Sequence, residues 1–108
     1  MIVKIYFDFF LDAKSVQGKE KILNKITRLL DTQYGYASVN HIENNKFIIT
    51  CEIDAWENLI FRLIEFSQTI GRQWIITGSI NDDLSLWSND PRVIGVSHIG
   101  INVDKSNR

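Results

Sequence analysis

Between Ile2 and Leu11 the apolar side chains return at every second residue. Val3, Ile5, Phe7, Phe9 and Leu11 fall on one face, and Lys4, Tyr6, Asp8 and Phe10 on the other. A period of two, in a run rich in β-branched and aromatic residues, predicts a strand with one face in a core. Such a strand cannot bury its face alone, so the rest of the chain must supply a covering layer. The period then changes. Ile22, Leu23, Ile26, Leu29 and Leu30 make one stripe of an α-helix over residues 16–33, with Ser15 as its N-cap and Gly35 as its terminator.

Further along, 36–43 and 46–53 read as two strands around Asn44-Asn45, residues that tolerate the positive φ of a tight hairpin. In the second of these Phe47, Ile49, Cys51 and Ile53 are expected to face inward. A second helix over 55–70 carries the stripe Trp56, Leu59, Ile60, Leu63, Phe66 and Ile70. Asp54 and Glu57 have the spacing of a capping box, and Gly71 follows as a stop. Short strands are expected at 74–80, 84–87 and 93–103, broken by Asn81-Asp82-Asp83 and by Ser88-Asn89-Asp90-Pro91. This order predicts an α+β fold of the ferredoxin-like βαββαβ kind with two extra C-terminal strands. Its sheet is antiparallel and carries both helices on one face. The 108 residues suit one domain over 1–104 with a polar tail at 105–108.

Charge and composition exclude several activities. A net charge of -1 gives no surplus of Lys and Arg to neutralise phosphates. Tyr6 and Phe10 on an open sheet face invite comparison with RNA-recognition motifs. The segment Lys46-Phe-Ile-Ile-Thr-Cys-Glu-Ile53 lacks the glycine-aromatic pattern those domains carry there, so no nucleic-acid partner is expected. Cys51 is the only cysteine, which excludes an internal disulfide. The start of the chain reads as neither a signal peptide nor a membrane span, so a cytoplasmic protein with no membrane partner is expected. His41 and His98 have no metal-spaced partners, and no glycine-rich phosphate loop occurs. The expectation is therefore a non-enzyme without cofactor or metal.

What remains is the region from Gln73 to Asp90. Trp87 stands close in sequence to Asp82, Asp83 and Asp90, and an aromatic anchor with an acidic rim suits a basic protein partner. Residues 36–60 also carry a net -3, which adds Glu43, Glu52 and Asp54 as secondary candidates. The run Gln73-Trp-Ile-Ile-Thr-Gly-Ser-Ile80 leading to Leu86-Trp-Ser-Asn-Asp90, together with the size of the chain, resembles the small immunity proteins of bacterial contact-dependent growth inhibition and related polymorphic toxin systems. The resemblance implies tight binding to a cognate toxin domain, often a nuclease with a basic cleft, and blockage of its active site. The alternative is a ferredoxin-like regulatory or dimerisation domain that binds a small ligand. A second subunit would then cover Tyr6, Phe10 and Ile48, and a monomer or weak homodimer is expected.

Overall fold

The computed structural model describes residues 2–35, 38–43, 45–80 and 83–104. The elements run β1 (Ile2–Leu11), α1 (Val16–Gln33), β2 (Ser38–Glu43), β3 (Lys46–Glu52), α2 (Trp56–Ile70), β4 (Gly71–Arg72), β5 (Ile75–Gly78), β6 (Asp83–Ser88), β7 (Asp90–Pro91) and β8 (Val96–Asp104). It is an α+β fold. Six strands form one antiparallel sheet in the order β2-β3-β1-β8-β6-β5, and β4 and β7 make a separate two-residue ladder. Asn44 of the expected hairpin and the tail at 105–108 lie outside the described residues.

The alternation in β1 decides which face is covered. Val3, Ile5, Phe7 and Phe9 are buried and meet the apolar stripes of both helices in one core cluster. Phe7 sits at its centre, tilted against Tyr34 just after α1 and edge-on to Phe66 of α2. Ser15 caps α1 as its chemistry predicts, its hydroxyl accepting from the Gly18 N–H at 2.9 Å. Asn45 ties the β2–β3 hairpin to β1: its amide donates to Asp8 Oδ1 at 3.0 Å, and its carbonyl accepts from the Phe9 N–H at 3.0 Å.

Two expectations need correction. The strand beside β1 on its second side is the last one, β8, while β5 and β6 form a hairpin outside it. The added strands thus precede the final strand in sequence and do not trail it. Length explains this: β8 matches β1 from Lys4↔Asp104 to Leu11↔Val96, and Ile99, Ile101 and Val103 fill the core, whereas β5 has four residues, all exposed. The capping box before α2 does not form; Ala55 is the N-cap and no side chain bonds the first turn. Gly71 stops α2 as expected, as its C-cap, but in an extended conformation (φ -169°), and it also serves close approach in β4, where an added Cβ would press on the Trp74 ring at 3.1 Å and on the Ser88 hydroxyl at 3.3 Å.

Candidate functional site

Strand parity separates the sequence-predicted site residues. In β6, Leu84, Leu86 and Ser88 face the helices, so Asp83, Ser85 and Trp87 face the open side of the sheet. Trp87 is half-buried. It lies over Gly100, where a Cβ would stand 3.3 Å from its ring, and it stacks on His98 at 5.6 Å. The Phe10 ring meets Trp87 edge-on at 5.4 Å, and the indole N–H donates to Asn89 Oδ1 at 2.7 Å. Trp87 is therefore one member of an aromatic cluster on the open face. His98 Nδ1 is buried there without a hydrogen-bond partner.

Asp83 and Asp90 lie beyond reach of each other. The strand β6 spans about 17 Å at 3.4 Å per residue, with Asp83 at its start and Asp90 two residues past its end. Asp90 is held by Arg72, Nε to Oδ2 at 3.2 Å, in the small β4–β7 ladder. That ion pair lies at the surface and engages one oxygen of the Asp90 carboxylate. Asp82 lies outside the described residues. Glu43 is in register with Lys46 at the β2–β3 hairpin, the opposite end of β3 from Glu52.

The register brings other acids together. Glu52 ends β3 opposite Ile2, Asp104 ends β8 opposite Lys4, and Asp83 starts β6 opposite Asp104. Asp54 and Glu57 follow β3 directly at the start of α2, and both are exposed. Five carboxylates thus gather at one end of the sheet, with Lys4 and Arg62 as nearby cations among the described residues. A polar groove of about 250 Å³ there is lined by Glu52, Asp54, Asn58 and Arg62.

Beside this end runs an apolar groove of about 230 Å³, formed by Trp56, Ile60, Phe61 and Ile64 of α2 with Ile80 of the β5–β6 turn; Glu57 stands on its rim. The Trp56 indole N–H donates to the Ile80 carbonyl at 2.6 Å, which pins the turn against the helix. Phe61 is 65% exposed, and Ile80 also faces solvent. Sequence reasoning passed over Phe61 because it lies off the buried stripe of α2. A large apolar side chain in that position was the available signal. Asp104 carried no such signal, since only pairing brings it beside Asp83.

The remaining chemistry is spare. Cys51 is buried on the covered face of β3, and desolvation raises its thiol from 9.0 to about 11, so it stays protonated at neutral pH. Among the described residues no group of three or more His, Cys, Asp or Glu could hold a metal ion, and no helix is long and apolar enough to cross a membrane. No protein-family model, curated protein or solved structure significantly matches the chain.

Proposed function

We propose that this chain is a non-enzymatic cytoplasmic immunity protein that binds a cognate toxin domain with a basic, nuclease-type cleft and blocks its active site. One observation carries the reading. The acids Glu52, Asp54, Glu57, Asp83 and Asp104 collect at the end of the sheet beside an apolar groove that exposes Phe61. Apolar anchors that exclude water, bordered by charge of one sign, give a protein interface both its affinity and its steering. Trp87 and Asp90 leave the proposed site, because the fold already engages them elsewhere. The strand order β2-β3-β1-β8 with both helices in one core supports a ferredoxin-like βαββαβ framework, into which the β5–β6 hairpin is inserted before the final strand.

The test pairs the chain with the toxin domain encoded beside it. Coexpression should restore growth, and the purified pair should associate in a salt-sensitive way. The combined Glu52→Lys, Asp54→Lys, Asp83→Lys variant should lower the association rate about 10- to 100-fold at low salt with an unchanged melting temperature. Phe61→Ser should act instead on the dissociation rate. Association that ignores both changes would remove this end of the molecule from the interface.

A further inference from the structure

The sheet ends in two edges of different character. The strand β2 at one edge is broken by a register shift between His41 and Glu43, and the His41 ring stacks on Phe47 at 4.6 Å. A bulge of this kind discourages another strand from pairing. The strand β5 at the other edge pairs with β6 in unbroken register, Ile75↔Trp87 through Gly78↔Leu84. No charged residue and no proline occurs from Gln73 to Ile80. Ile75 on the open face is 58% exposed, and Ile76 on the helix-bearing face is 49% exposed. Natural edge strands are blunted by shortness, charge, proline or bulges; β5 is short, at four residues, but carries no charge, proline or bulge.

We propose that β5 is a self-association edge, on which a second copy of this chain adds its own β5 antiparallel about a two-fold axis. Neutrality selects the occupant. A basic partner gains nothing from residues 73–80, whereas two identical neutral strands meet without like-charge repulsion. Parity then restricts the register. A two-fold axis normal to the sheet keeps the helix-bearing faces on the same side, so the two paired positions must share a face. Centring the axis on Ile76 sets it against the partner's Ile76, sets Ile75 beside the partner's Thr77, and places Gly78 opposite the partner's Trp74, where it leaves room for the ring. Moving the axis to Thr77 would set Ile75 against the partner's Ser79 and Ile76 against the partner's Gly78, and so would lose the Ile76 pair and the packing of Ile75 on the Thr77 methyl. Four residues of strand make a small interface, in the class burying below about 1,200 Å² in total, so the dimer is weak and forms reversibly. This inference stands apart from toxin binding, because the chain alone tests it.

Sedimentation of the purified chain should show a monomer at low concentration and a dimer at high concentration. Ile76→Lys should be monomeric throughout, with Ile75→Lys as the second variant should the first fail to fold. An exposed substitution elsewhere, Ile94→Lys, should leave the dimer intact. Directly opposed positions in an antiparallel pair lie within disulfide reach, so Ile76→Cys should cross-link on mild oxidation and Ile75→Cys should not. Cys51 is buried and does not compete. A wild-type chain that stays monomeric at several hundred micromolar, a dimer untouched by both lysine variants, or equal cross-linking at 75 and 76 would each overturn the proposal.

Discussion

The two faces of the sheet carry similar side chains and use them differently. On the covered face Phe7 and Phe9 stack at 5.9 Å inside the core, and Phe7 is 1% exposed. On the open face Tyr6 and Phe10 come from the same strand at alternate positions, yet are 40% and 39% exposed. The difference lies in what stands opposite. The covered face meets Tyr34 and Phe66 from the helix layer. On the open face Phe10 meets neighbours within the sheet, Trp87 and His98, and among the described residues no helix lies over it. An aromatic residue in a strand is therefore no sign of core by itself, because strand parity and the layer above decide its role.

The sharpest way to break this comparison is to truncate one aromatic on each face. Phe7→Ala should cost about 3–5 kcal/mol, the range for a buried phenylalanine that leaves a cavity. Phe10→Ala loses two edge contacts, with Trp87 and His98, and partial burial, so it should cost about 2 kcal/mol. Chemical denaturation of both variants gives the numbers. Equal losses would mean that the aromatic cluster on the open face is a second core.

Cys51 sharpens the same contrast through pH. Its folded thiol titrates near 11 against an ordinary 9.0, with burial as the cause. Between those values the unfolded chain has released a proton that the folded chain retains, so stability falls as pH rises. Below pH 9 this thiol contributes no pH dependence. The fall should be on the order of 1–2 kcal/mol and should be missing from the difference curve of a Cys51→Ala variant. Native protein at pH 8 should also resist thiol alkylation until it is unfolded.

Local patterns were legible where one element decides its own fate. The alternation of β1 named its buried face residue by residue, and the stripe in α1 with Ser15 before it fixed both ends of that helix. Pairing was not legible. Three short candidate strands followed α2, and nothing local says that Val96–Asp104 lies beside β1 while Ile75–Gly78 goes to the edge. That choice depends on how much apolar area each strand offers the helices. The make-up of the candidate site depends on pairing in the same way. Proximity in sequence joined Trp87 and Asp90 to Asp83, but strand length and the Arg72 ion pair separate them. Glu52 and Asp54 stand out in the sequence as acids of a net-negative stretch, and their placement near Asp83 and Asp104 is a product of register.

The two helix starts give the smallest effect. Both have a sequence signature for capping, but only Ser15 makes the bond, its hydroxyl taking the Gly18 N–H. Asp54 sits one residue before the actual N-cap, Ala55, whose backbone is extended and whose side chain has nothing to offer the first turn. Trp56 begins α2 already committed to the core and to the Ile80 carbonyl, which sets the entry of that helix by packing and leaves Asp54 out of position. Ser15→Ala should therefore cost about 1 kcal/mol, the usual worth of an N-cap. Asp54→Ala should stay within about 0.5 kcal/mol of wild type, as an exposed substitution away from any such bond does. Thermal unfolding of the two variants side by side distinguishes a helix start fixed by a cap from one fixed by burial. A loss at Asp54 as large as that at Ser15 would show that its carboxylate reaches the first turn of α2 in solution after all.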